Sequence, residues 1–183
     1  MPALLLLLVC LSPLSAQTPI SPLDCKCVVG TPDFEKARNC SLCREAEKHP
    51  PDVEVFFLKD INPRKPNRWL ALWRPHLEGM HNLHALSPDQ RTRYWKAAMA
   101  KAEEMWGAGN WGLAYNGEST RTQCHLHLHM GIFITAAENS KFKVVSRVED
   151  FPAPQDSGVW IHPVGGKFHV HLGEQITETV LKR

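Results

Sequence analysis

The sequence predicts a single globular domain that contains both helices and strands. Its 183 residues match the size of one typical domain, and the hydrophobic (43%) and charged (22%) fractions are ordinary for a folded protein. Several apolar, β-rich runs lie between turn residues, and one long segment repeats its apolar residues at helical spacing. The composition excludes a disordered or collagen-like chain, and a net charge of +2 gives no reason to expect nucleic-acid binding.

The first residues have the pattern of a secretory signal peptide. Residues 3–12 form an apolar run that is too short to span a bilayer comfortably, and small residues follow it up to Ala16. No Lys or Arg precedes the run. The alternative to a signal peptide is a buried N-terminal helix. We expect residues 1–16 to be removed, residues 17–30 to form an N-terminal extension, and the mature protein to be periplasmic or secreted.

Two helix starts are visible in the sequence. Thr31 is followed by proline, the pattern of an N-cap and first helical residue, and this helical region should end near Pro50. Ser87 opens a capping box with the glutamine three residues later, and apolar residues then recur at helical spacing until Gly107.

Strands are predicted where apolar, β-rich runs are bounded by turn residues. These runs are residues 53–60, 68–73, 110–116, 124–134 and 141–148, with a final hairpin inside residues 158–172. The first two runs are joined by a short loop with two prolines, which indicates another hairpin.

Residues 124–134 carry the strongest chemical signal, three histidines that alternate with leucine. Side chains two residues apart share a face of a strand, so His125, His127 and His129 should project together while the leucines between them face a core. Such a row of imidazoles suits a metal site or nucleophilic catalysis by one neutral ring. A solvated polar face is the third interpretation, and the spacing alone does not choose among them.

The segment from His125 to Gly131, HLHLHMG, resembles the motif of the histidine triad (HIT) superfamily. Other features match that superfamily in the same order along the chain. These are Cys40-x-x-Cys43, the strand–turn–strand segment 56–83, the helix that starts at Ser87, a strand ending in Asn116, and Gln123 in the following loop. The stretch from Asn116 to His129 is also similar to the CDP-diacylglycerol pyrophosphatase branch, which is exported too.

The resemblance implies an α+β fold with an antiparallel sheet flanked by helices, commonly in a homodimer. It places a HIT-like catalytic domain at residues 31–135. Residues 136–183 match no family motif and are expected to form a β-rich C-terminal extension packed on the same domain. Family members are nucleotidyl hydrolases or transferases that act on the α-phosphate of a nucleotide derivative. The implied partner is therefore a nucleotide-containing small molecule or a liponucleotide, and no organic cofactor is expected.

The resemblance also implies which residues are catalytic. His127 matches the nucleophile, which forms a covalent nucleotidyl-histidine that water or another acceptor then resolves. His129 would contact the phosphate and stabilise its developing charge, and Asn116 would offer a neutral hydrogen-bonding group beside it. Arg68 stands where many family members have histidine.

Four further residues are candidates for substrate binding. Asp60 matches the acidic residue that receives the ribose hydroxyls in the family. Thr122 and Gln123 would offer neutral hydrogen-bonding groups to the phosphate, and Arg121 is an additional cation that could pair with it. The basic turn Arg64-Lys65 is interpreted as a solvated loop, with steering of a phosphate as the alternative.

Cysteine and histidine spacing predicts a second site, for zinc. The four candidate ligands are Cys40, Cys43, His76 and His125. Family members that keep the cysteines use this set for structural zinc. An oxidising compartment favours disulfides instead, and Cys25 and Cys27 lie close enough to bridge to the Cys40/Cys43 pair, to bridge each other, or to add ligands. Cys124 is expected to be a buried free thiol.

The final hairpin carries three more histidines, His162, His169 and His171. They could approach one another and bind metal, but a titrating polar surface is the favoured interpretation. A non-catalytic periplasmic protein that binds zinc or copper through both histidine groups is the main alternative to an enzyme. A CDP-diacylglycerol pyrophosphatase-like activity is the other, and it would require access to a membrane.

Overall fold

The computed structural model describes residues 25–76 and 82–183. Within these ranges the chain forms one seven-stranded antiparallel sheet and three α-helices, which is the mixed α+β class that the sequence predicts. The expected signal peptide, residues 1–16, lies outside the described residues, as does the first part of the expected extension up to residue 24.

The elements follow one another along the chain in the predicted order. The helices are α1 (Pro32–Lys36), α2 (Ser41–Glu47) and α3 (Pro88–Trp106). The strands are β1 (Val55–Lys59), β2 (Trp69–Trp73), β3 (Trp111–Tyr115), β4 (His127–Ile132), β5 (Phe142–Val145), β6 (Val159–Val164) and β7 (Lys167–Leu172). Their order in the sheet is β1-β2-β4-β3-β6-β7-β5. Both predicted hairpins, β1–β2 and β6–β7, are confirmed.

Local signals at the helix ends act as the sequence predicts. The side chain of Thr31 accepts a hydrogen bond from the amide of Phe34, and Ser87 and Gln90 form a complete capping box at the start of α3. Gly107 ends α3 with a φ of 78°, a conformation that favours glycine.

The strand that carries the histidine motif begins later than predicted, at His127. Two contacts of Cys124 hold the backbone before the strand outside the sheet. Its amide donates a hydrogen bond to the carbonyl oxygen of Asn39, and its sulfur forms a disulfide with Cys25. His125 therefore precedes the strand ladder, and the expected row of three strand histidines is reduced to two.

The two faces of the sheet are covered differently. Helix α3 buries one face over a core that includes Trp95, Leu113 and Leu128. The opposite face carries His127 and His129, which pair directly with Leu72 and Leu70 of β2 and therefore share their side of the sheet. We call it the histidine face.

The histidine face is covered at its two sides and open between them. Ala46 of α2 packs on Leu70 and Leu72 at one side. The C-terminal segment, residues 173–183, packs Val180 and Leu181 on Ala114 and Trp160 at the other side. His127 and His129 lie between the two covers.

The C-terminal third of the chain belongs to the same sheet. β6 pairs with β3 through Leu113↔Ile161, and β7 joins β6 to β5. The strands within residues 136–183 thus extend the sheet that holds the histidine motif. No helix in the described parts of the chain has the length and apolar character needed to cross a membrane.

Candidate functional site

A cleft of about 1080 Å³ opens on the histidine face. Its walls come from α2, the turn after β1, the loop between β3 and β4, and the C-terminal segment. Six cationic side chains and three carboxylates line it. They are Arg38, Arg44, Lys59, Arg64, Lys65 and Arg121, with Glu45, Asp60 and Glu178. This excess of positive charge favours an anionic ligand.

His127 lines the cleft as a neutral imidazole of defined tautomer. Its Nδ1 lies 2.7 Å from the backbone carbonyl oxygen of His125. Because a carbonyl oxygen can only accept, Nδ1 carries the hydrogen and Nε2 carries the lone pair. Burial, aided by neighbouring His129, lowers the pKa of His127 to about 3. The ring is therefore neutral near pH 7, with Nε2 as its nucleophilic atom.

His129 stands beside His127 and is held from both ends of its ring. The two ring centroids are 5.0 Å apart. Nε2 of His129 lies 3.4 Å from the amide nitrogen of Asn116, and Nδ1 lies 3.5 Å from a carboxylate oxygen of Glu178. Burial lowers the pKa of His129 to about 4, although the Glu178 carboxylate opposes the shift.

Asn116, directly after β3, lines the cleft beside His129. Its side-chain oxygen accepts hydrogen bonds from the amide and hydroxyl of Thr177, at 2.9 and 3.1 Å, and from the amide of Glu178 at 3.2 Å. With its oxygen engaged by the C-terminal segment, Asn116 presents its NH₂ group to His129. The segment thus fixes the side chain that positions the second histidine.

Glu178 is a site residue that the sequence does not reveal. Its carboxylate lies 2.5 Å from Nζ of Lys65 and contacts the guanidinium of Arg68. Burial alone would raise the pKa of Glu178, but His129, Lys65 and Arg68 together lower it to about 2. The sequence around Glu178 does not distinguish it from the other acidic residues of the chain. Its role depends on the C-terminal segment folding over the sheet.

Arg68 links the C-terminal segment to the site. Its side chain is 2% exposed, and besides Glu178 it donates to the carbonyl oxygen of Leu181 at 2.9 Å. Arg68 is therefore a buried cation that holds the segment in place.

Asp60, Thr122 and Gln123 all lie in the wall of the cleft. The carboxylate of Asp60 accepts one hydrogen bond, from the amide of Asn62 at 2.9 Å. The amide of Gln123 is more fully engaged. Its oxygen accepts from the hydroxyl of Ser41 at 2.8 Å, and its nitrogen donates to a backbone carbonyl in the turn before α2. Gln123 therefore ties the loop before the motif to α2.

Arg121 borders the cleft but is held against the core. Its guanidinium donates to the side-chain oxygen of Asn82 at 2.5 Å and lies 5.2 Å from the ring centre of Tyr115. Burial lowers the pKa of Arg121. These contacts give Arg121 a structural role, whereas the sequence suggests that it pairs with a phosphate.

Cys43, His76 and His125 form a group that could hold a metal ion, which we call the cysteine cluster. One ligand atom from each lies within 4.8 Å of the others. Nε2 of His125 lies 2.6 Å from the carbonyl oxygen of Trp73 and donates to it, which puts the ring's lone pair on Nδ1. Burial raises the pKa of the Cys43 thiol to about 12, so metal binding would have to release its proton.

Two disulfides correct the cysteine predictions. Cys40 is bonded to Cys27, and Cys124 is bonded to Cys25. Cys40 is therefore not available as a thiolate ligand, and the predicted four-residue zinc set is reduced to three. Cys124 is not the free thiol that the sequence suggested; among the described cysteines that role belongs to Cys43. A Cys-x-x-Cys pair does not itself indicate which of its cysteines will form a disulfide with a cysteine nearer the N-terminus.

A second group that could hold a metal ion lies near the far edge of the sheet. It consists of Glu138, His162, His169 and His171, with one ligand atom from each within 4.8 Å of the others. We call it the histidine–glutamate cluster. The sequence favoured a titrating polar surface for these histidines, but His162 and His171 are buried.

Comparison with known proteins identifies no relative. No protein-family model matches the chain, and a search of the curated proteins finds no match. Statements about function therefore depend on the geometry of the cleft and of the two clusters.

Proposed function

We propose that the protein is a nucleotidyl hydrolase or transferase of the histidine triad type. It acts on the α-phosphate of a nucleotide derivative and passes through a covalent nucleotidyl-histidine at His127. One observation carries the proposal: a buried, neutral imidazole lies in the wall of a cationic cleft, with Nδ1 bonded to a carbonyl oxygen and its lone pair on Nε2.

The reaction has two displacements at phosphorus. Nε2 of His127 attacks the α-phosphorus, the bond to the leaving group breaks, and the leaving group departs with the bonding pair and takes up a proton from solvent. The hydrogen on Nδ1 stays in place, and the carbonyl oxygen of His125 stabilises the cationic ring. Water then attacks the phosphorus, the P–N pair returns to Nε2, and the attacking water releases a proton.

The surrounding side chains match the charges of such a substrate. His129 lies beside His127, and the NH₂ group of Asn116, which faces His129, has a second hydrogen to donate to a phosphoryl oxygen. Among the described residues, the carboxylate of Asp60 accepts one hydrogen bond, which leaves acceptor capacity for ribose hydroxyls. Lys65 adds positive charge at the wall of the cleft.

The cysteine cluster is proposed to hold structural zinc. A thiolate and two imidazoles are typical zinc ligands, although structural sites commonly have a fourth protein ligand. The ring of His125 belongs to the cluster, and the backbone carbonyl oxygen of His125 accepts a hydrogen bond from His127. A bound ion would therefore fix the backbone that sets the tautomer of the nucleophile. The two disulfides support the further proposal that the protein is exported to an oxidising compartment.

A liponucleotide is a specific candidate for the substrate. Ile61 lines the cleft and is 96% exposed, and Leu42 and Leu58 line the same cleft. Such apolar side chains in a cationic cleft could receive the lipid part of CDP-diacylglycerol. A non-catalytic metal-binding protein is the rival function, and the presence of two metal-capable clusters favours it.

Turnover measurements decide between the enzyme and its rival. The panel comprises nucleoside phosphoramidates, dinucleoside polyphosphates and CDP-diacylglycerol, with the full chain and its His127→Asn variant. We expect one class to be cleaved, and the variant to be slower by at least about a thousandfold, as for other removed nucleophiles. His49→Asn is the matched control, because His49 stacks on Phe56 and does not line the cleft.

Two results would overturn the proposed function. One is turnover that survives in the His127→Asn variant. The other is a folded, metal-loaded protein that cleaves no member of the panel, which would favour the metal-binding function.

A further inference from the structure

The histidine–glutamate cluster gathers ligands from three separate parts of the chain. Glu138 follows the turn after β4, His162 lies on β6, and His169 and His171 lie on β7. The carboxylate of Glu138 is central: its oxygens lie 2.5 Å from Nε2 of His162, 3.4 Å from Nδ1 of His169 and 3.2 Å from Nε2 of His171. Three imidazoles thus converge on one carboxylate.

The antiparallel register of β6 and β7 puts the three rings on one face of the sheet. His162 and His169 are directly paired across the two strands. His171 lies two residues after His169 and so shares its face. The convergence of the three rings therefore follows from the strand pairing.

Each ring is also stacked on an aromatic neighbour, which fixes its orientation. The pairs are His162 on Phe133 at 3.9 Å, His169 on Phe142 at 3.8 Å, and His171 on Trp160 at 3.4 Å between ring centres. The interplanar angles are 11° or less. Ligands held in this way lose little conformational freedom when an ion binds, which favours affinity.

A polar surface does not explain these side chains. His162 is 4% exposed and His171 is 1% exposed. Nε2 of His162 and both ring nitrogens of His171 have no aligned hydrogen-bond partner among the described residues, despite their proximity to Glu138. Buried polar atoms without such partners are costly, and an ion bound through one nitrogen of each ring would give His162 and His171 a partner at that nitrogen.

We propose that Glu138, His162, His169 and His171 bind one divalent transition-metal ion, with zinc as the preferred ion. Three imidazoles and one carboxylate are a zinc ligand set, and ligand bonds of about 2.0–2.1 Å place neighbouring ligand atoms about 3.3 Å apart. The separations of Glu138 from His169 and His171, 3.4 and 3.2 Å, are already close to this value, whereas the 2.5 Å contact with His162 would have to lengthen when the ion binds. The side chain of Glu138 is 31% exposed, so the ion can enter from solvent on its side.

The proposed site is distinct from the catalytic cleft. A row of directly paired residues runs from His129 through Ala114 and Trp160 to His171. With about 4.8 Å between adjacent strands, the two histidines are about 14 Å apart. The ion would therefore act as a structural clip that joins the chain after β4 to the β6–β7 hairpin.

Zinc binding by the full chain tests the proposal in a Cys43→Ala background, which removes the thiolate of the cysteine cluster. We expect one zinc ion per chain after equilibrium dialysis, whether or not the cysteine cluster binds metal in the parent. Cobalt in place of zinc should give visible d–d bands of a histidine and carboxylate site without thiolate charge-transfer absorption.

Glu138→Gln and His169→Gln in that background identify the ligands without altering the two most buried rings. Each should raise the dissociation constant by about tenfold or more, because even groups that only support metal ligands have effects of that size. His49→Gln, outside both clusters, should leave it unchanged. The proposal is overturned if the Cys43→Ala protein binds no zinc, or if Glu138→Gln and His169→Gln bind zinc as tightly as their parent.

Discussion

Nδ1 of His127 lies 2.7 Å from the carbonyl oxygen of His125, whose ring belongs to the cysteine cluster with Cys43 and His76. His125 thus contributes its backbone to the proposed nucleophile and its side chain to a group that could hold a metal. The disulfide between Cys124 and Cys25 fixes the chain one residue earlier. The tautomer of His127 is therefore set by a backbone that is anchored from two directions.

The acid limb of the pH profile of kcat/KM should lie at an unusually low pH. In the proposed reaction neutral His127 is the reactive form, and the pKa of His127 is lowered to about 3 from an ordinary value of 6.5. We expect kcat/KM to stay level between pH 7 and pH 5 and to fall only near pH 4 and below. A limb centred near pH 6.5 would contradict the buried, neutral nucleophile.

The folded fraction must be followed in the same pH experiment. The lowered pKa values of His127 and His129 mean that the unfolded chain binds more protons than the folded one between about pH 6.5 and pH 4. Stability therefore falls as the pH drops through that window. Circular dichroism at each pH separates this loss from protonation of the nucleophile.

Glu178→Gln should destabilise the fold by about 2 kcal/mol, because the buried guanidinium of Arg68 loses its counter-charge while glutamine can still accept a hydrogen bond. Urea unfolding measures the loss. The pKa of Glu178 is lowered to about 2, so its stabilising effect is present in full above its unfolded value of about 4.5 and disappears as the pH falls through 2. The deficit of the variant should accordingly be smaller at pH 3 than at pH 7.

Glu149→Gln is the matched control for that substitution. Glu149 pairs with Lys96 at 2.8 Å, but both side chains are exposed. The variant should unfold like the wild type, since exposed ion pairs contribute little. Equal effects of the two substitutions would mean that the Glu178 contacts have no special structural importance.

Removal of the Cys27–Cys40 disulfide separates its role from metal binding. The double variant Cys27→Ala/Cys40→Ala opens a loop with a sequence separation of 13 and should lose about 3 kcal/mol of stability. Zinc binding at the cysteine cluster should persist, because Cys40 is not part of it. Cys43→Ala should show the reverse pattern, with both disulfides intact and that zinc lost. Loss of this zinc in the double variant would show that Cys40 is a zinc ligand in the wild type, contrary to the account.

Local patterns were enough to predict the elements whose cause is local. The capping box at Ser87 specifies the start of α3. The glycines at 165 and 166, with φ values of 57° and 78°, allow the tight turn between β6 and β7. Asn116 and His129 come together as expected because β3 and β4 are neighbours in the sheet.

Features that depend on distant parts of the chain could not be predicted in this way. Lys65 and Glu178 are 113 residues apart in sequence, and only the path of the C-terminal segment brings them together. The rule that alternate residues share a face applies only inside a strand, and the Cys25–Cys124 bond keeps His125 outside it. The approach of Glu138 to His162 likewise depends on the path of the chain after β4.

The central claim, a covalent nucleotidyl-histidine at His127, is tested most directly by intact-protein mass spectrometry. The full chain is mixed briefly with the substrate that turnover identifies, quenched without acid, and compared with His127→Asn. We predict a mass increase equal to one nucleotidyl group, which is labile to acid, maps to the peptide that contains His127, and is absent from the variant. Turnover by the wild type without any such adduct, or an adduct that persists in His127→Asn, would contradict the account.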